Sequence, residues 1–352
     1  MIKVLVVEDS PVVQELLVHI LNSDPAIRVI GVAGDGDEAI EFVSRNKPDV
    51  ITMDINMSRM NGIEATRRIM ETRPVPIVIV SGVWNPREVE TTFLAMEAGA
   101  LAVVEKPQGI GHPDHPARAR DMIEKVKLMS EVKLVRRWAL PPETMRRDGA
   151  PACLRTDPQL PVSIKVVAVG ASTGGPPVLH GILSGLPQDF PAPLMIVQHI
   201  AKGFLKGLVD WISEASRLTV RIAEDGETPL PGCAYFAPDG LNMGVGRTGR
   251  IRLEAGDGDA PRPSVSYLFR SVASAYGRDA VGVLLTGMGA DGARELKLMR
   301  DSGAITIVQD RESSAVYGMP GVALELNAAS YVFPPEKIVS ALKTMTKKTG
   351  DK

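Results

Sequence analysis

Two series of short apolar runs, each run separated from the next by a segment of helical period, restrict this chain to a pair of parallel α/β sheets. The first series is Val4–Val7, Val29–Ala33, Val50–Met53, Ile77–Val80 and Ala102–Val104. The second opens at Ile164, with strands expected at Lys165–Val169, Pro193–Gln198, Val220–Ile222, Cys233–Phe236, Ile251–Leu253, Ala280–Leu285 and Ala304–Val308. Strands that are apolar along their whole length, alternating with amphipathic helices, are strands covered on both faces. The helix after the first run illustrates the pattern. Ser10 stands at its cap, Pro11 at its first position, and Val12, Val13, Leu16, Leu17, Ile20 and Leu21 share a face. The shorter central runs of the second series, broken by glycine and proline, also suit an antiparallel hairpin. The expected class is therefore α/β: an N-terminal (βα)5 domain and a C-terminal doubly wound, mainly parallel domain.

At 352 residues the chain exceeds one ordinary core. Arg118–Val135 reads as a basic helix with Met122, Val126 and Met129 on its apolar side, after which Pro141, Pro142, Gly149 and Pro151 break all periodicity. The expected organisation is a first domain over 1–135, a linker over 136–162 and a second domain over 163–350. Forty basic residues against 42 acidic ones leave a net charge of −2, which offers no general attraction to nucleic acid or anionic membrane. The two cysteines, Cys153 and Cys233, match no zinc spacing and suit a reducing compartment. No apolar run reaches the roughly 20 residues a bilayer needs, and MIKVLVVEDS lacks the features of a signal peptide, so a cytoplasmic location is expected without membrane insertion.

Four strands of the first series end on polar residues: Glu8-Asp9, Asp54, Ser81 and Lys106. In a doubly wound sheet these ends gather on one edge, where ligands bind. Carboxylates converging there repel one another unless a hard cation such as Mg²⁺ lies between them. A carboxylate is then able to attack phosphorus while a lysine and a hydroxyl neutralise the phosphoryl oxygens. Taken singly, each of these residues has a plainer role, the aspartate as a helix cap and the lysine as a solvated charge. The four in register resemble the response-regulator receiver domain. That resemblance implies Asp54 as phosphoacceptor, Glu8, Asp9, Asp54 and the Asn56 carbonyl as Mg²⁺ ligands, and Ser81 and Lys106 as phosphoryl contacts. Ser58 and Asn61 depart from the usual Pro and Asp of that loop, and Val103 stands where many receivers carry an aromatic residue.

The second series carries different chemistry. In KVVAVGASTGGP a strand runs into Gly170-x-Ser172-x-Gly174, a spacing that fits a nucleophile elbow, with Thr173 N–H placed to face an oxyanion. A dinucleotide-binding turn competes for the same letters, but Pro176-Pro177 follow and no tyrosine has lysine four residues later. A serine nucleophile needs a base. Of the five histidines, His19 belongs to the first helix, His112 and His115 to a loop, and His180 to the helix after the elbow; His199 ends an apolar strand. Asp291, after the strand VGVLL and a glycine-rich loop, is the carboxylate to orient it, although a helix cap is the commoner use of such a residue.

With VGASTGG, QHI, YFAPDGLNM, RPSVSYLFRS, LLTGMGADGA and IVQDRESSAVYGMP, nearly all of the chain resembles the chemotaxis-type protein-glutamate methylesterase (CheB) family. The resemblance implies Ser172 as nucleophile, His199 as general base then acid, Asp291 as its orienting group, and Met288 N–H in the oxyanion hole. It implies hydrolysis of glutamyl methyl esters on chemoreceptor cytoplasmic helices with release of methanol, deamidation of selected glutamines, and no cofactor for the ester chemistry. It also implies a histidine kinase as phosphodonor and a receiver that restrains the catalytic domain until phosphorylated. Asn242 and Arg262 stand where the family often has histidine, which bears on substrate preference. A receiver with a binding-only output domain would want a basic recognition helix, and the C-terminal half offers only the short basic tail from Lys343 to Lys348.

Overall fold

The computed structural model describes residues 1–82, 86–132, 164–256 and 262–346. The expected linker, and Cys153 with it, lies outside the described residues. The chain divides into two compact units, Met1–Arg137 and Trp138–Lys352.

In the first unit β1 (Ile2–Val7), α1 (Pro11–Asn22), β2 (Ile27–Ala33), α2 (Gly36–Arg45), β3 (Val50–Met53), α3 (Gly62–Thr72), β4 (Ile77–Ser81), α4 (Pro86–Glu97), β5 (Ala102–Glu105) and α5 (His115–Ser130) follow in strict alternation. The strands form one parallel sheet in the order β2-β1-β3-β4-β5. All four residues of β3 are buried, as a strand covered on both faces requires. The order reverses between β1 and β3, so a crevice opens at their carboxyl ends. Pro11 starts α1 as expected, but Ser10 makes no side-chain cap bond. Val12 is 78% exposed, contrary to the expected apolar face. The buried stripe runs through Leu17, Ile20 and Leu21, and at about 100° per residue Val12 lies more than a quarter-turn from its centre. Asn61, the departure from the receiver pattern, caps α3 by accepting the Glu64 N–H at 2.9 Å.

The second unit contains β6 (Val166–Ala171), α6 (Gly175–Gly185), β7 (Leu194–Gln198), α7 (Leu205–Ala215), β8 (Thr219–Ile222), β9 (Cys233–Phe236), β10 (Asn242–Val245) and β11 (Ile251–Glu254). After these come α8 (Val265–Tyr276), β12 (Ala280–Leu284), α9 (Ala293–Asp301), β13 (Ile305–Gln309), α10 (Met319–Glu325), β14 (Tyr331–Phe333) and α11 (Pro335–Met345). Seven strands pair in parallel in the order β14-β13-β12-β6-β7-β9-β8. The expected hairpin exists, but its members are β10 and β11, while β8 and β9 join the main sheet. β6 lies between β12 and β7, so the chain leaves it in one direction and returns on the other side. That reversal places the ends of β6, β7 and β12 side by side at the switch point of the sheet. No helix among the described residues is long and apolar enough to cross a membrane.

Candidate functional site

The elbow follows directly from the strand pairing. β6 ends at Ala171, and Ser172 N–H donates to the Thr286 carbonyl at 3.0 Å, beyond the end of β12. Gly174 then adopts φ +75, a left-handed turn that glycine takes without strain, and α6 begins one residue later. The Gly287 backbone passes directly against the serine: a Cβ there would stand 2.7 Å from Ser172 Cβ. Thr286, fully buried, donates its hydroxyl to the Thr173 carbonyl at 3.0 Å and accepts the Val316 N–H at 3.0 Å. Its own N–H donates to Gln309 Oε1 at 2.8 Å. The elbow, the Gly287-Met288 loop and the segment around Val316 are thereby joined by one buried polar network. No hydrogen bond occupies the Thr173 or Met288 N–H among the described residues.

His199 follows β7 and is tied to the elbow through its backbone, donating N–H to the Ala171 carbonyl at 2.9 Å. Its Nε2 lies 3.0 Å from Asp291 Oδ2. A ring that donates from Nε2 to a carboxylate leaves Nδ1 with the lone pair. His180 is elsewhere, stacked on Trp211 with ring centroids 4.3 Å apart. His115 Nδ1 is bonded to the Gln108 carbonyl.

Asp291 does not cap the helix it precedes; the cap of α9 is Gly292. It instead accepts from the start of α8: Val265 N–H at 2.7 Å, Ser266 N–H at 2.9 Å and Ser264 Oγ at 3.1 Å. Ser264 is itself the α8 cap and takes Asn242 Oδ1 on its N–H at 3.0 Å. Burial alone would raise the Asp291 pKa, but hydrogen bonds from His199, Ser266 and Val265 outweigh it and hold the carboxyl well below the usual range. A depressed folded pKa adds stability that is complete above the unfolded value and disappears as pH falls through the folded one. The stability gap between wild type and Asp291→Asn is therefore constant above about pH 5 and narrows at lower pH. Urea midpoints measured for both proteins between about pH 7 and about pH 3 check this; a gap that widens in acid contradicts it.

In the first unit, the carboxylate oxygens of Glu8, Asp9 and Asp54 lie within 4.8 Å of one another. Glu8 and Asp54 are buried and Asp9 is exposed. Lys106 Nζ is 2.8 Å from Glu8 Oε2 and 3.1 Å from Asp54 Oδ2. Asp54 Oδ1 accepts the Ile55 N–H at 2.8 Å. Burial first, and then the Asp54 charge, raise the Glu8 pKa against the contrary pull of Lys106. For Lys106, burial favours the neutral amine, yet its bond to Glu8 and the charge of Asp54 raise the pKa overall. The Lys106 ammonium is thus the ion-pair partner of the buried Glu8 Oε2. Three carboxylates whose oxygens converge to within 4.8 Å, with one ammonium beside two of them, keep an excess of negative charge that fits a hard divalent cation. Ser81 and Lys106 are brought together by the β4–β5 pairing, with Lys106 N–H donating to the Ser81 carbonyl at 2.8 Å. Asn56 is exposed two residues past Asp54. Val103 is half-buried against the core of the first unit.

Sequence reasoning singled out the strand-end residues but assigned no role to Gln198, Ser264, Ser266 or Thr286. The one available signal was Pro263-Ser264 ahead of an apolar helical run, a helix-start pattern.

A family model described as the response regulator receiver domain matches residues 4–112, and one described as CheB methylesterase matches residues 167–342. The protein-glutamate methylesterase/protein-glutamine glutaminase of Nitrosospira multiformis is 56% identical over 355 residues, covering 100% of this chain and 99% of that protein. The protein-glutamate methylesterase/protein-glutamine glutaminase 1 of Syntrophus aciditrophicus is 58% identical over 344 residues, 97% of each chain. The crystal structure of the Thermotoga maritima CheB methylesterase catalytic domain covers 52% of this chain and all of that one at 38% identity, with a TM-score of 0.50.

Proposed function

Because this chain belongs to the CheB methylesterase family and carries its receiver domain, it is a phosphorylation-regulated protein-glutamate methylesterase and protein-glutamine glutaminase, and we propose that Ser172, His199 and Asp291 perform the hydrolysis. The observation that carries this assignment is the His199–Asp291 hydrogen bond beside the Ser172 elbow, at the switch point of the seven-stranded sheet. Ser172 Oγ attacks the carbonyl carbon of a glutamyl methyl ester and passes its proton to His199 Nδ1. The oxyanion forms against the N–H groups of Thr173 and Met288, which have no other acceptor among the described residues. Its collapse breaks the C–O bond, and the imidazolium protonates the departing methoxide, giving methanol and an acyl-enzyme. Water then attacks the acyl carbon, returning a proton through His199 and releasing glutamate. With glutamine the same sequence releases ammonia. Asp291, fixed by three donors from the start of α8, keeps the ring in the tautomer this requires. The substrates are the cytoplasmic helices of chemoreceptors. A serine-directed phosphonate tests the assignment: it is expected to modify Ser172 and to abolish methanol release in proportion. Full activity in quantitatively labelled protein would exclude Ser172.

In the receiver domain Asp54 is the phosphoacceptor, and a chemotaxis histidine kinase supplies the phosphoryl group. Glu8, Asp9, Asp54 and the Asn56 carbonyl would hold Mg²⁺, whose charge offsets that of the incoming phosphate. Lys106 remains protonated by its two carboxylate partners and is placed to pair with a phosphoryl oxygen beside the Ser81 hydroxyl. A chelator is therefore expected to block phosphorylation by acetyl phosphate while leaving unstimulated methanol release unchanged. Loss of both together would place a metal in the ester chemistry as well.

A further inference from the structure

Gln198 ends β7 one residue before His199, and only 3% of it is exposed. Its amide nitrogen directs both hydrogens at main-chain carbonyls, Ser172 O at 2.8 Å and His199 O at 2.8 Å. The Ser172 carbonyl also accepts the Gly175 N–H at 2.8 Å. In a trans peptide the C=O and the N–H point to opposite sides. Clamping the Ser172 carbonyl thus sets the heading of the Thr173 N–H. The Gly287–Met288 peptide is fixed in the same manner, since the Gly287 carbonyl accepts from Gly318 N–H at 3.0 Å and Met319 N–H at 2.9 Å. That second clamp is entirely main chain, whereas the first pairs one main-chain donor, Gly175 N–H, with one side chain.

The other end of the amide distinguishes Gln198 from a packing residue. Its Oε1 is buried without a hydrogen-bond partner, and a Cβ on Gly175 would stand 2.1 Å from it. An orphaned buried oxygen is destabilising, so a residue needed only to fill this space would serve better as leucine or methionine. We propose that Gln198 is a positioning residue. Its amide locks the Ser172–Thr173 peptide with the N–H toward the oxyanion and fixes the His199 main chain, registering nucleophile, base and oxyanion donor through a single group. This rests on the hydrolase reading above.

The test uses the full chain and methyl-esterified receptor helices, with Gln198→Met and Gln198→Glu read side by side, both close to glutamine in volume. In each, kcat for methanol release is expected to fall on the order of 10²-fold with KM shifted less than about twofold. Affinity for phenylboronic acid, which adds to an active-site serine as a tetrahedral anion, should drop by a matching factor. The denaturation midpoint of Gln198→Met should stay close to that of wild type, because relief of the unpartnered Oε1 offsets the loss of the two amide hydrogen bonds. A kcat within about threefold of wild type in either folded variant overturns the proposal. So does a fall in kcat without loss of boronate affinity. Failure of both variants to fold makes Gln198 structural and overturns it too. Ser172→Ala in the same assay separates the two readings: full activity there defeats the triad, while an inert Ser172→Ala beside fully active Gln198 variants defeats only the role of Gln198.

Discussion

Ser172→Ala is expected to lower methanol release by about 10⁴-fold or more, because removing the nucleophile of a triad leaves only binding and the oxyanion donors to act. The backbone reasons for the elbow survive the substitution. The N–H at position 172 still donates to Thr286, and the carbonyl there still accepts from Gly175 and Gln198. Cβ still rests against Gly287. Folding and substrate affinity should therefore be close to wild type, and the loss should appear in kcat alone. Phosphorylation of the receiver unit by acetyl phosphate should proceed as before, which shows that the protein is intact. Steady-state methanol release from a methylated receptor fragment, with KM measured in parallel, decides the matter. Residual activity within about tenfold of wild type would mean that another group makes the acyl bond.

What the letters of the chain disclosed, and what they withheld, follows from where each signal is local. A strand buried on both faces is written as an unbroken apolar run, so β3 and β7 were legible to within a residue. Polar residues ending such runs were equally plain, because a parallel sheet sends every strand end to one edge. β10 was missed because Asn242–Val245 includes a glycine and is only four residues long, and β14 because three residues at a sheet edge show no period. Val12 was misplaced because apolar character alone does not give the centre of the buried stripe. The surroundings of Asp291 were hidden for a different reason. An aspartate ahead of a helix reads as the cap of that helix, and only the tertiary fold brings the start of α8, more than twenty residues upstream, against it. Gln198 was passed over as the polar end of a strand. Its role depends on two carbonyls that the β6–β7 pairing delivers, and nothing local encodes them.

Asp54→Asn is expected to abolish the response to phosphodonor while leaving the unstimulated rate in place. Asparagine has nearly the shape of aspartate but presents no anionic oxygen to phosphorus, so the bond that stores the signal does not form. The pocket itself should persist, since Lys106 keeps Glu8 as a partner at 2.8 Å, and the amide side chain still has an oxygen to accept the Ile55 N–H. In wild type, acetyl phosphate with Mg²⁺ is expected to add nearly two negative charges beside Lys106 and Ser81, a local change large enough to bias a two-state arrangement. A stimulation on the order of tenfold corresponds to a shift of about 1.4 kcal/mol, within the usual range of coupling between sites. In Asp54→Asn that factor should fall to about one at any donor concentration. The distinction from Ser172→Ala is what makes the pair informative: one variant is inert but phosphorylated, the other active but deaf to the donor. Stimulation of Asp54→Asn to the wild-type level would mean that control enters through some other group, and the acidic pocket at the end of β3 would then have to be read as structural.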